Sequence, residues 1–142
     1  MLLSTKGRYG IRAMYDLAVN FQEGPQPVKA ISERQGIPEA YLEQLVAPLR
    51  RAGLLKSQRG SSGGYILARQ PQEVSIGAIV RALEGPLAPA ACVLEEEACE
   101  QSQMCAMHSL WRRMYDGMND LFDSITLKQM LEDADGAPTC NC

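Results

Sequence analysis

The chain has a single histidine, His108, and that residue sits among cysteines. No Ser/His/Asp arrangement can therefore be assembled elsewhere, and no glycine-rich phosphate cradle appears. Enzymatic catalysis and a small-molecule substrate are left without a foothold. No apolar run approaches the ~20 residues of a bilayer span. The opening MLLSTKGRYG turns polar at Ser4, before the apolar stretch of a signal peptide can form. A cytoplasmic protein with no membrane partner is expected, in a compartment that keeps thiols reduced. No internal repeat is present, which sets solenoid architectures aside. Hydrophobic residues make up 46% of the chain, enough to exclude wholesale disorder and to build a core without covalent staples.

Charge is unevenly placed. Residues 1–70 carry ten Lys/Arg against five Asp/Glu, whereas residues 71–142 carry four against twelve. A basic front half and an acidic back half point to a polyanion partner at one end only.

The apolar periodicity predicts a mostly α fold. Ile11, Met14, Tyr15, Ala18 and Phe21 recur at helical spacing, with Ser4 or Thr5 available as a cap. A short helix over 28–35 stops at Gly36, and a second begins at Pro38 and stops at Gly53. Pro48 lies inside that second helix and is expected to kink it or loosen its last turn. Two β-prone segments, 54–57 and 65–68, flank the sequence QRGSSGG and read as a hairpin with a basic tip. Helix, turn, helix, then hairpin is the order of a winged helix-turn-helix. Ser75 opens a further helix that ends at the sequence EGP. After an irregular stretch, a long helix is expected from Met104 to about Ser124. Its seam of Trp111, Met114, Met118, Leu121 and Ile125 is spaced 3, 4, 3, 4, as in a helix that pairs with a second copy. Thr126 and Gln129 form a capping box for a last short helix ending before Gly136.

The expected organisation is a winged helix-turn-helix DNA-binding domain at 1–84 and a ligand-bearing loop at 85–103. A dimerisation helix with a short C-terminal helix follows at 104–134, and a flexible tail at 135–142.

Double-stranded DNA suits the basic half. Glu39, Ala40, Glu43, Gln44 and Arg50 lie off the apolar stripe of the second helix of the pair. Gln44 can pair with adenine and Glu43 can accept from cytosine N4, at a cost near phosphates that makes Glu43 a discriminator. Arg59, on a thin hairpin tip, can enter a narrow minor groove. Lys6, Arg8, Lys56 and Arg51 are candidates for phosphate contacts.

The stretch CVLEEEACEQSQMCAMH gathers three of five cysteines with the lone histidine. Cys92, Cys99, Cys105 and His108 offer a Cys₃His donor set. Cys105 and His108 stand at i and i+3 near the start of the long helix. Zinc accepts such a set, an iron–sulfur cluster suits the longer spacings, and oxidation of metal-free thiols is a third use. The run Glu95–Glu97 reads as solvated loop, and Cys140 and Cys142 as plain thiols of a tail.

Four segments, STKGRYGIRAM, ISERQGIPEAYLEQL, RGSSGGYILAR and CAMHSLWR, together resemble the IscR family of bacterial iron–sulfur cluster regulators over residues 1–132. The resemblance implies a homodimeric winged-helix transcription factor that binds palindromic operators. It implies a 2Fe–2S cluster on Cys92, Cys99, Cys105 and His108, and repression of cluster-assembly genes by the loaded form. It also implies base contacts from Tyr41, Glu43 and Gln44, with Arg59 and Gly60 in the minor groove. Two departures stand out. Six residues separate Cys92 from Cys99 where that family usually has five. Related nitric-oxide sensors use an N-terminal aspartate as a ligand, and position 8 here is Arg8.

Overall fold

The computed structural model describes residues 3–140. Six α-helices and one two-stranded antiparallel sheet are present among them. Helix α1 spans Thr5–Val19, and Ser4 caps it by accepting from Gly7 N. The helix ends at Val19; its C-cap Asn20 donates through both backbone N–H and Nδ2 to the Asp16 carbonyl, and Phe21 enters a single 3₁₀ turn. Gly10 of α1 lies directly against Leu83, where a Cβ would collide with that side chain.

Helices α2 (Val28–Gln35) and α3 (Glu39–Arg51) form the helix-turn-helix. Gly36 adopts the left-handed conformation, with φ 63°, that the turn requires. Ile37, 1% exposed, plugs the turn into the core, and Ser32 Oγ donates to its carbonyl at 2.6 Å. Pro38 is the N-cap of α3, not its first helical residue. Helix α3 runs on past Pro48 to Arg51, and Ala52 N–H bonds to the Pro48 carbonyl. Pro48 is three residues from the end, so the lost bond falls in a turn whose other bonds survive.

Strands β1 (Leu55–Gln58) and β2 (Gly64–Leu67) pair in register from Leu55↔Leu67 to Gln58↔Gly64. The hairpin is tied to the domain by two 2.8 Å backbone bonds exchanged between Gln26 and Tyr65. Gly64 is required there: a Cβ would strike the Gln26 backbone. Helix α4 (Ile76–Glu84) is capped by Ser75, which accepts from Ala78 N. Two single 3₁₀ turns, Ala91–Val93 and Glu96–Ala98, follow. Helix α5 spans Ala106–Ser124 and α6 Leu127–Ala134, the latter capped by Thr126 through Gln129 N.

One core is fed by both ends of the chain. Met14 and Leu17 of α1, Leu42 and Leu45 of α3, Ile79 and Val80 of α4 and Leu127 of α6 belong to a single cluster, each 3% exposed or less. Burial of such a side chain contributes ~1.5–3 kcal/mol relative to leaving it in water. The tail folds back as well: Thr139 Oγ1 donates to Gln35 Oε1 at 2.6 Å. Cys142 lies outside the described residues.

Candidate functional site

The exposed face of α3 carries Glu39, Ala40, Glu43, Gln44, Arg50 and Arg51, while Leu42, Leu45 and Leu49 point inward. This is the division the periodicity predicts. Tyr41 is half-buried and meets the Tyr9 ring edge-on, with centroids 5.4 Å apart and planes at 81°. Arg12 sits over the Tyr9 ring at 5.4 Å. The first turn of α3 is therefore braced against α1.

Lys6, Lys56, Arg59 and Gly60 are exposed. Arg59 and Gly60 form the wing tip, with φ 112° at Gly60 and a Gly63 N–H bond to its carbonyl at 3.0 Å. Arg8 is half-buried and turned back on its own helix start, donating to the Leu3 carbonyl at 2.8 Å. Of the expected phosphate binders it is the least available. Arg50 links α3 to β1 by donating to Ser57 Oγ at 3.5 Å.

Sequence reasoning passed over the anchor beneath this surface. Asp16 is 2% exposed and receives Arg34 Nε at 2.9 Å, Arg34 Nη2 at 2.8 Å and Gln35 Nε2 at 3.1 Å. Arg34 also donates to Gln26 Oε1 at 2.9 Å, and so ties α1, α2 and the residue that holds the wing into one network. The Asp16 carboxylate raises the Arg34 pKa above its ordinary value, chiefly through that hydrogen bond. The available signal was a carboxylate set into the apolar stripe of α1.

The second candidate region is the loop leading into α5. Cys92 is half-buried within the first 3₁₀ turn, and Cys99 and Cys105 are exposed. Cys105 has extended backbone as the N-cap of α5, so the helix begins at Ala106 and not at Met104. His108 lies in its first turn. Its Nδ1 is buried and has no hydrogen-bond partner. Ser102, 7% exposed, folds the loop by donating to the Glu96 carbonyl at 3.1 Å. The three thiols and the imidazole do not converge: among the described residues no three His, Cys, Asp or Glu side chains form a metal-ion group. In kind, the donors suit a soft metal centre, with uncommitted thiols and one shielded, unsatisfied imidazole nitrogen. To meet, they require the 92–105 segment to close upon α5. Glu95, Glu96, Glu97 and Glu100 are all exposed, as expected of a solvated run.

Helix α5 itself has no buried residue, and its outward stripe differs from the expected one. Met107, Leu110, Met114 and Leu121 are the exposed large side chains, at 49, 44, 41 and 59%. Trp111 and Met118 are half-buried, and Ile125 packs on the core. Gly117 falls on the outward stripe between Met114 and Leu121, with open space where a Cβ would stand. Of the expected seam Met114 and Leu121 do face outward, joined by Met107, Leu110 and Gly117, whereas Trp111, Met118 and Ile125 turn toward the rest of the chain. No helix among the described residues is long and apolar enough to cross a membrane.

Residues 3–133 match the family model Rrf2, described as an iron-dependent transcriptional regulator. The transcriptional regulator CymR of Bacillus subtilis is 43% identical over 136 residues, covering 96% of this chain and 94% of that one. IscR of Pectobacterium atrosepticum is 41% identical over 131 residues, covering 92% and 79%. Among solved structures, T. potens IscR superposes with a TM-score of 0.78 at 45% identity, covering 100% of this chain and 94% of that one. The structure of CymR, the global cysteine regulator of B. subtilis, gives 0.76 at 43%, covering 94% and 98%.

Proposed function

Because the chain belongs to the Rrf2 family of transcriptional regulators, we propose that it is a homodimeric DNA-binding repressor whose grip on a palindromic operator is set by a 2Fe–2S cluster. The observation that carries this reading is His108. A buried imidazole nitrogen without a partner is costly, and it lies in the same short segment as three uncommitted thiols. The proposed ligands are Cys92, Cys99, Cys105 and His108, and the genes under control are those of cluster assembly. When bound, the cluster would supply a link labile to oxygen, nitric oxide or iron scarcity.

The residues of the chain then have separate tasks. Gln44 and Glu43 read bases from the exposed face of α3, and Tyr41 presses that helix against Tyr9. Arg59 and Gly60 present a narrow, positively charged tip to the minor groove, while Lys6 and Lys56 hold phosphates. Arg8, engaged with the Leu3 carbonyl, reaches a phosphate by exchanging that bond. Met107, Leu110, Met114 and Leu121 supply the surface for a second copy. Cys92, Cys99 and Cys105 commit the loop to α5, and His108 contributes its unsatisfied nitrogen. Loop closure is thereby coupled to the pose of the helix that pairs the subunits, and a coupling of that sort is reciprocal between DNA and cofactor.

Protein purified under argon is expected to absorb in the visible range and to contain iron and sulfide in equal amounts. His108→Ala is expected to keep the dimer and lose the cofactor more readily. Colourless protein without sulfide after reconstitution, or a His108→Ala variant with wild-type cofactor retention, would sink the assignment.

A second reading is favoured by the 43% identity to CymR and by the exposure of Cys99 and Cys105. In that reading the thiols are the sensor in metal-free form, or instead hold zinc, and the DNA-binding surface is unchanged. Peroxide treatment of metal-free protein separates the two: a reversible change in operator affinity, lost in Cys99→Ser, supports thiol sensing.

A further inference from the structure

Helix α5 is hydrogen-bonded to the winged helix-turn-helix near its C-terminal end. At its C-terminal end, Ile76 N–H bonds to the Ile125 carbonyl at 2.8 Å and Leu127 N–H to the Val74 carbonyl at 3.0 Å. One turn earlier, Arg81 of α4 donates through Nη1 to Asn119 Oδ1 at 2.8 Å and through Nη2 to Asp123 Oδ1. Ser75 Oγ also reaches Asp123 Oδ1, at 3.4 Å. Asn119 in turn donates to the Leu87 carbonyl at 3.1 Å, where the ligand-bearing loop departs. Gly77 makes room for the whole arrangement: a Cβ there would collide with Asp123 and lie 3.0 Å from Arg81 Nη2. Arg81 thus holds two residues one turn apart on α5, through a planar fork that fixes direction as well as distance. Toward its N-terminus α5 leaves the core, ending at Cys105 and the exposed Met104.

We propose that Arg81, clasped between Asn119 and Asp123 over Gly77, is the positioning residue that fixes the angle of α5 to the DNA-reading unit and so sets the half-site spacing a dimer accepts. The inference rests on the dimeric reading of the function. From Asn119 back to Ala106 is roughly 20 Å of helix. A rotation of about 10° at the clasp displaces the far end by ~3.5 Å, close to the rise of one base pair. Small errors at Arg81 therefore become whole base pairs at the operator. Surface ion pairs contribute little to stability, so the clasp acts on direction far more than on folding.

The probe is a palindromic duplex selected by the wild-type dimer from a random-sequence library, then rebuilt with its spacer shortened or lengthened by one and two base pairs. Wild-type protein is expected to prefer its own spacing by at least about tenfold, as a rigid two-headed reader must. Arg81→Met and Gly77→Ala are expected to narrow that preference below threefold while light scattering still reports a dimer. Asp123→Asn, which keeps the oxygen acceptor, is expected to retain it. Should Arg81→Met lose its folded circular dichroism signal, Asp123→Ala, at an exposed site, carries the same test. Spacing preference equal to wild type in folded Arg81→Met or Asp123→Ala overturns the inference and leaves the dimeric reading intact. Wild-type protein that binds a lone half-site as tightly as the paired one overturns the dimeric reading, and the inference with it.

Discussion

Asp16 and Arg34 are unequal partners. The Asp16 side chain is 3% exposed and that of Arg34 38%. Removing the arginine strands a buried carboxylate, whereas removing the carboxylate leaves an arginine able to turn to water. Arg34→Ala is therefore expected to cost ~3–5 kcal/mol and Asp16→Asn about 1–3 kcal/mol. Urea denaturation of both variants checks the order, and equal losses would refute the argument. The raised Arg34 pKa contributes stability that is complete below the ordinary guanidinium pKa and is lost only as the pH climbs through the raised one. No dependence on pH is expected from this group in the physiological range. The pair was not legible in the sequence, because a single acidic residue in an apolar stripe gives no indication of which distant base will meet it. Local cues were legible: Ser4, Ser75 and Thr126 each cap the helix their position suggested.

The helices themselves were legible from their periodicity, but their rotation was not. Helix α5 carries enough apolar residues for two overlapping seams, and spacing alone cannot choose between them. The choice goes with α4, whose Arg81 holds the Asn119 and Asp123 side of α5 while Met107, Leu110, Met114 and Leu121 face out. Gly117 tests the consequence. In an isolated helix, Gly→Ala adds about 1 kcal/mol of stability, and nothing in this chain stands in the way. In the proposed dimer, a methyl group at this point of closest approach would keep the two backbones apart. Gly117→Ala is expected to raise the melting temperature at low concentration while weakening association, read by sedimentation equilibrium. Leu110→Glu is expected to give monomers outright. A Gly117→Ala dimer as tight as wild type would place the contact elsewhere on α5. The ligand segment shows the opposite limit of sequence reading. Donor type and order are visible in it, whereas the proposed closure of the loop from 92 to 105 would be a tertiary event that no spacing encodes.

At the scale of the whole molecule, the charge asymmetry of the sequence becomes a face. Lys56, Arg59, Arg50 and Arg51 are exposed around the wing and α3, while Glu95, Glu96, Glu97 and Glu100 lie in the loop before α5. Every phosphate left without its cation lowers the salt slope of binding by about 0.9. Lys56→Ala, present twice in the proposed dimer, is expected to flatten the log–log slope by roughly 2 while leaving sequence preference unchanged. Gln44→Ala should do the reverse, relaxing preference at one base pair per half-site with little change in slope. That these side chains face solvent was legible in the sequence, because residue type and helix face decide it. What the sequence did not reveal is that α6 completes the same interior as α1.

That closure has an outcome during synthesis. Leu127 fills a void whose opposite wall is laid down with α1, at the other end of the chain. A nascent chain that has already produced its recognition helix and wing still lacks the plug behind them. Polypeptides cut short before α6 are expected to be cleared by proteases instead of lingering on promoters as half-built competitors.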